Sequence, residues 1–194
     1  MAALGKWPTD DRLYELGVTL GRGATAIVQE AVCKNFNPPK KCAIKVINLE
    51  NHSTEKELLD EIQLMSKCHH ENIVGYYCCF VVKRDLWLVM TLLDAGSVLD
   101  LIKCREKSAA QQQLSPSKMA DIPFNEVQIA TILLATLRGL QYLHSAGHIH
   151  RDIKAGNILM STNGDVQVAD FGVCALQNHP LMRGSKRTTD VEVF

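Results

Sequence analysis

His150-Arg151-Asp152-Ile153-Lys154-Ala155-Gly156-Asn157 is the stretch on which the reading of this chain turns, and Asp170-Phe171-Gly172 follows eighteen residues after Asp152. Phosphoryl transfer needs few covalent participants and many well-placed charges. Asp152 is suited to accept the proton of an attacking hydroxyl. Lys154 is suited to offset charge on the transferred phosphoryl group. Asn157 and Asp170 carry the hard oxygen ligands that magnesium prefers. A chance run of polar loop residues would explain one segment; it does not explain both in this order.

Upstream, the pattern is one of strands. Tyr14 to Leu20 reads as a strand, Gly21 and Gly23 make a turn, and Ile27 to Cys33 reads as a second strand. Asn35-Phe36-Asn37-Pro38-Pro39 is a connection. Cys42 to Ile47 is a third strand, so the opening is an antiparallel meander. Alone, Gly21-x-Gly23 is a weak signal, since two glycines between strands are usually a hairpin. A dinucleotide-binding loop would need a helix after the glycines. A strand-turn-strand loop instead suits close approach of backbone N–H groups to phosphates.

Lys45 ends the apolar run Ala43-Ile44, and a lysine there needs a partner. Glu61 lies 16 residues later on an amphipathic helix. Thr54 and Glu57 form a capping-box pattern for that helix, which runs to about Ser66 with Leu58, Ile62 and Met65 on one face. The pairing of Lys45 with Glu61 stands beside the blander alternative of a surface lysine and an unrelated glutamate. Ile73 to Val82 and Leu86 to Leu92 read as two further strands, joined by Lys83-Arg84-Asp85.

A short helix is expected from Val98 to about Arg105, then a polar surface insertion over residues 106–121. Ser115-Pro116 within it is either a proline-directed phosphosite or a simple loop. A longer helix runs from Phe124 to about Ser145, with Ile129, Ile132, Leu133, Leu137 and Leu140 on one face. Loop follows His148, with short strands at Ile158-Leu159 and Val166 to Val168. There is no internal repeat.

Composition narrows the class. The chain has 194 residues, 46% hydrophobic, which suits one domain with a packed core. Lys plus Arg and Asp plus Glu both number 21, so charge makes no case for nucleic acid or an anionic membrane. No apolar run reaches about 18 residues, so no membrane insertion is expected. The N-terminus lacks the layout of a signal peptide. The seven cysteines are odd in number and scattered, which fits reduced thiols in a cytoplasmic, or also nuclear, setting. Cys68, His69, His70, Cys78 and Cys79 match no standard zinc spacing.

In order, Gly21-Arg22-Gly23-Ala24-Thr25-Ala26-Ile27-Val28, Ala43-Ile44-Lys45, Glu61, His150-Arg151-Asp152, Asn157 and Asp170-Phe171-Gly172 resemble the protein-kinase family over residues 11–176. Lys154, two residues after Asp152, is similar to the serine/threonine branch. Cys68-His69-His70-x-Asn72-Ile73-Val74, Leu86 to Met90, Gly96-Ser97-Val98-Leu99-Asp100 and Lys154 to Leu159 resemble the germinal-centre kinases. Within these they resemble the oxidative-stress-responsive and proline-alanine-rich kinases.

The resemblance implies an α+β, protein-kinase-like fold: an antiparallel five-stranded N-lobe with helix C, then a helical C-lobe. It implies ATP and Mg2+ as cofactors. Leu20, Gly21, Gly23 and Val28 would cover ATP, and Ala43 would pack on adenine. Lys45 would hold the phosphates and pair with Glu61. Met90 would be the gatekeeper, backbone groups of Thr91 and Leu93 would bond adenine, and Leu159 would close the pocket from below. Asp152 and Lys154 would be catalytic, with Asn157 and Asp170 on the metal. Expected partners are protein substrates, cation–chloride cotransporters among them, and an upstream kinase or scaffold.

The expected organisation is an N-terminal extension (1–12), the N-lobe and hinge (13–93), the start of the C-lobe (94–176) and an activation segment (177–194). A member of this family is expected to continue well past Phe194, so the C-lobe is expected to be incomplete and the final segment disordered, with Thr189 nearest the expected phosphosite. Two functions follow: an ATP-dependent serine/threonine kinase in stress or ion-homeostasis signalling, or an inactive truncated isoform that binds nucleotide or partners. Ala26, Ala95 and Cys174 depart from common family choices, each by a small and tolerable residue.

Overall fold

The computed structural model describes residues 6–23, 26–51, 55–111, 124–170 and 175–176. Within these, the side chains at 51, 55–57, 60, 61, 109–111, 175 and 176 lie outside the description. After a 3-10 turn at Asp11–Leu13 come β1 (Tyr14–Arg22), β2 (Ala26–Cys33) and β3 (Lys40–Asn48). Helix α1 (Glu55–Lys67), β4 (Tyr76–Val82) and β5 (Asp85–Met90) follow. The five strands form one antiparallel sheet in the order β1-β2-β3-β5-β4, as expected.

Alternation along the strands divides the apolar side chains between two cores. Leu86 and Leu88 of β5, with Ile47 of β3, pack beneath α1 with Leu58, Leu64 and Met65. Trp87 and Val89, with Cys42 and Ile44, pack on the opposite face with Tyr14, Ala31 and Cys33. Cys78 and Cys79, neighbours on β4, are divided between these two cores and so do not converge on one point.

The second half contains β6 (Gly96–Ser97), α2 (Val98–Gln111), α3 (Glu126–Ser145), β7 (His148–Ile149), β8 (Ile158–Met160), β9 (Val166–Val168) and β10 (Ala175–Leu176). Strands β6, β8 and β9 make one small sheet, and β7 pairs with β10. The Asp100 carboxylate accepts from both the N–H (3.1 Å) and the hydroxyl (2.5 Å) of Ser97, and this starts α2. Asn125 and Gln128 make a reciprocal capping box, both bonds 2.9 Å, at the start of α3.

Several expectations are corrected. Gly21 lies within β1, paired with Val28, rather than in the turn. Ile73 and Val74 precede β4 and cross to β9: Ile73 bridges Val168, and the Val74 N–H donates to the Val168 carbonyl at 3.0 Å. Helix α2 continues to Gln111, so its Ser97–Asp100 cap carries helix into the first part of the expected insertion. The rest of the insertion with Ser115-Pro116, the Thr54 cap, Phe171, Gly172, Cys174 and residues 177–194 with Thr189 lie outside the described residues. The buried stripe of α3 is Ile132, Thr136, Gly139 and Leu143, whereas Leu133 and Leu137 are exposed. The apolar face read from the sequence is thus only partly buried, and Gly139 of the same helix faces the junction with Asn72, Ile73 and Val168.

That contact is tight. A Cβ at Gly139 would lie 2.7 Å from the Asn72 carbonyl oxygen, 3.2 Å from Ile73 and 3.3 Å from Val168. Gly139→Ala gains helix propensity but overpacks against backbone. It is expected to destabilise the chain by about 1–2 kcal/mol in urea denaturation. An unchanged or raised midpoint would mean that α3 retreats freely from Asn72.

Candidate active site

Register places the N-lobe candidates on one face. In β3 the residues Ala43, Lys45 and Ile47 share a side of the sheet by their two-residue spacing. Val28 pairs with Lys45, and Met90 pairs with Ala43, so their side chains fall on that same side. Gly21 pairs with Val28, and a Cβ there would meet no atom of the described residues within 4 Å. Packing inside the chain therefore does not demand glycine at 21, and the space beside it suits a ligand. The Gly23 N–H donates to the Ala26 carbonyl at 2.8 Å and closes the hairpin, while Leu20 is exposed.

Lys45 reaches out from this face. Its ammonium stands 3.4 Å from the Asp170 carboxylate, and only 18% of its side chain is exposed. This pair joins residues 125 apart in sequence and spans the space between the two halves of the chain. The expected partner Glu61 sits on α1, and its side chain lies outside the described residues.

The loop after β7 is held by its own polar groups. Lys154 donates to the Asp152 carboxylate at 2.8 Å. The Asn157 amide donates to the Asp152 carbonyl at 2.8 Å and to its carboxylate at 2.9 Å. These bonds occupy the Asn157 Nδ2 group, so its Oδ1 is the atom suited to a cation. His150, 1% exposed, accepts the Asp152 N–H on Nδ1 at 3.3 Å and donates from Nε2 to the Ala169 carbonyl at 3.0 Å. The Ala169 N–H in turn donates to the Asn157 carbonyl at 2.8 Å. Arg151 and Asp170 both have φ of +66°, an uncommon conformation away from glycine that favours functional sites.

Electrostatics match this geometry. The hydrogen bond from Lys154, aided by that from Asn157, holds the Asp152 carboxyl below its usual range. The same contact raises Lys154. Burial lowers His150 and keeps its imidazole neutral, in agreement with the tautomer that its two bonds require.

Behind Met90, the Thr91 N–H donates to the Gly75 carbonyl at 2.8 Å, so the carbonyl is the backbone group that Thr91 can offer a ligand. The Leu93 carbonyl accepts from Gly96 at 3.3 Å, which leaves its N–H for the same purpose. Leu159 pairs with Ser97 and Gln167 in the small sheet and is half-buried. Asp94 accepts from the N–H (2.7 Å) and hydroxyl (2.9 Å) of Thr162 and anchors the hinge to the β8–β9 turn. Sequence reasoning gave no role to Asp94, Asn72 or Tyr77, because each acts through a contact with residues distant in the chain.

Among the described residues, no group of three or more His, Cys, Asp or Glu side chains is placed to hold a metal ion. Magnesium does not need one, since it takes one or two protein oxygens and completes its shell with phosphates and water. Asn157 and Asp170 fit that requirement. Among the described residues, no helix is long and apolar enough to cross a membrane.

Comparison with known proteins agrees with the geometry. A family model described as the protein kinase domain matches residues 14–190. Germinal center kinase 3 of Caenorhabditis elegans is 47% identical over 169 residues, covering 87% of this chain and 27% of that protein. Serine/threonine-protein kinase fray2 of Dictyostelium discoideum is 40% identical over 171 residues, covering 87% of this chain and 15% of that protein. The chain thus spans only about a quarter or less of the curated relatives it matches.

A neutral buried imidazole makes stability depend on pH. The unfolded chain binds a proton on histidine near pH ~6.5, whereas folded His150 binds it only at lower pH. Below pH ~6.5 the unfolded state therefore holds more protons, and stability falls as pH falls. His148, also lowered by burial, adds with the same sign. The unfolding free energy from urea denaturation is expected to drop between pH 7.5 and 5.5, by at most about 1.4 kcal/mol per pH unit for each imidazole kept neutral. A slope that survives His150→Asn with His148→Gln would locate the proton uptake elsewhere.

Proposed function

The chain belongs to the protein kinase family, and from that premise we propose that its site transfers the γ-phosphoryl group of ATP to serine or threonine hydroxyls of proteins. The observation that carries this reading is the convergence of two charged groups from distant segments: the Asp152–Lys154–Asn157 cluster and the Lys45–Asp170 pair. Asp152 is ionised at neutral pH, so it accepts the proton of the attacking hydroxyl. The hydroxyl oxygen forms its bond to the γ-phosphorus, the bond to the bridging oxygen breaks, and ADP leaves. Lys154 offsets charge on the group in transit. Lys45 binds the α- and β-phosphates. Asn157 and Asp170 would hold a divalent ion, which would supply positive charge to neutralise the phosphate oxygens.

Adenine lies against Ala43, Met90 and Leu159, with Leu20, Gly21, Gly23 and Val28 above the nucleotide. The Thr91 carbonyl and Leu93 N–H bond its edge. Glu61 orients Lys45. The lobes divide as residues 13–93 and 94–176, and Thr189 is the proposed activating phosphosite in 177–194. The finer reading places the chain near the oxidative-stress-responsive and proline-alanine-rich kinases, in cytoplasmic, and also nuclear, stress or ion-homeostasis signalling. Its substrates then include cation–chloride cotransporters, and an upstream kinase or scaffold controls it. This rests on the motifs shared with germinal-centre kinases.

A second reading is a nucleotide- or partner-binding module without transfer. The exposed apolar side chains Leu133, Leu134 and Leu137 on α3 favour it, because such a face suits a protein partner.

Transfer of labelled phosphate from Mg·ATP to a protein substrate by the purified chain separates the two. Asp152→Asn is expected to lower transfer on the order of a hundred- to ten-thousand-fold with fold retained by circular dichroism. Lys45→Met is expected to weaken nucleotide binding as well. A folded chain that binds Mg·ATP yet transfers nothing would support the binding module. Transfer indifferent to Asp152→Asn would remove Asp152 as the base.

A further inference from the structure

The segment before β1 lies against the sheet and reaches toward the hinge. The Trp7 ring stacks face to face on Tyr77, with centroids 4.3 Å apart and planes 6° from parallel. It also meets Phe36 edge-on at 4.9 Å. The Pro8 carbonyl accepts the Tyr14 hydroxyl at 2.7 Å and the Cys78 thiol at 3.4 Å. Trp7 and Pro8 therefore form a strap fastened to β1, to the β2–β3 connection and to β4.

Tyr77 is not an ordinary strand residue. Tyr76 pairs with Met90 and Cys78 pairs with Val89, so Tyr77 is the extra residue of a β-bulge. A bulge re-aims the side chain it carries. Here the ring turns toward Trp7, and its hydroxyl oxygen accepts from the Thr91 hydroxyl at 3.1 Å. The Thr91 hydroxyl also approaches the Gly75 carbonyl at 3.4 Å. A Cβ at Gly75 would stand 2.6 Å from the Thr91 hydroxyl oxygen, so glycine there lets that hydroxyl keep its present position. Three separate features thus converge on Thr91, the first residue beyond β5: the glycine, the bulge and the strap.

We propose that Trp7, acting through Tyr77, is a positioning residue for adenine recognition, holding Thr91 so that its backbone carbonyl stays aimed at the amino group of the base. This rests on the adenine-binding reading given above. The strap acts by fixing the bulged strand on which the hinge depends, and Trp7 and Pro8 thereby gain a function in base selection.

Calorimetric binding of Mg·ATP and Mg·ITP to the full chain tests this. Inosine carries a carbonyl where adenine carries its amino group, so it cannot donate to Thr91. Tyr77→Phe keeps the ring and removes the hydroxyl; Trp7→Ala removes the stack; Trp7→Phe restores an aromatic face. The first two are expected to weaken ATP roughly two- to tenfold, with ITP changed by less than about twofold, and Trp7→Phe is expected to recover ATP affinity. Without ligand, both should speed hydrogen exchange at the Thr91 amide while leaving the Val168 amide protected. Equal weakening of both nucleotides, or unchanged Thr91 exchange in folded Tyr77→Phe, would overturn the inference and leave the adenine site standing. A folded parent chain that binds neither nucleotide would overturn the adenine reading, and this inference with it.

Discussion

His150 joins the two loops that carry the charged groups. Its imidazole takes the Asp152 N–H on one nitrogen and gives its own proton to the Ala169 carbonyl on the other. Asp152 and Asp170 are thereby held in register by one planar ring with two fixed bonding directions. The Ala169 N–H to Asn157 carbonyl bond closes the circuit. Because the ring is buried and neutral, nothing in this cross-link competes electrostatically with the carboxylates at the surface. The positive φ at Arg151 and Asp170 is tolerated because these bonds, with the pairing of β7 to β10, over-determine the loops.

The same logic joins the halves of the chain. Asn72 donates from its side chain to Val166 at 3.0 Å and accepts at its backbone from Val168 at 2.9 Å. Ile73 and Val168 are both fully buried beside Gly139. The segment before β4 is thus part of the floor beneath the site, and the first core runs unbroken from α1 through β5 to α3 and β9. Lys45 meets Asp170 across this continuous packing, which sets a distance that two separate lobes would leave variable. Catalysis that depends on placing charges is sensitive to shifts of about 1 Å, so under the proposed function such packing would bear directly on the chemistry.

Much of this was legible in the chain itself. The charged groups of the catalytic loop sit within a few residues of one another, and their spacing in a loop dictates their meeting. The five strands followed from short apolar runs separated by turn residues, which are local properties, although the fourth begins later than its apolar run. The helix from Phe124 was legible as a helix with one apolar face, which is buried at Ile132 and exposed at Leu133 and Leu137. The close approach of Gly139 to the Asn72 backbone was not legible, because it joins residues distant in the chain. The extent of α2 was missed, since polar residues after Arg105 resemble a loop until a capped helix propagates through them. Strands β7 and β10 are two residues each, too short to carry a period.

Residue type and local spacing therefore determined which groups are available to the proposed chemistry: a carboxylate at Asp152, a lysine beside it, the side-chain oxygens of Asn157 and Asp170, and a glycine-bearing hairpin over a lysine-bearing strand. These are decided by covalent neighbours and by periodicities of two and 3.6 residues. Tertiary structure alone decided which distant groups meet: Lys45 with Asp170, Asn72 with Val166 and Val168, Asp94 with Thr162, and Trp7 with the bulged Tyr77. Such meetings depend on strand register, on one inserted residue and on the close approach of a helix at Gly139. Each is a small geometric choice settled by packing over the whole core, and no local pattern in the chain encodes it.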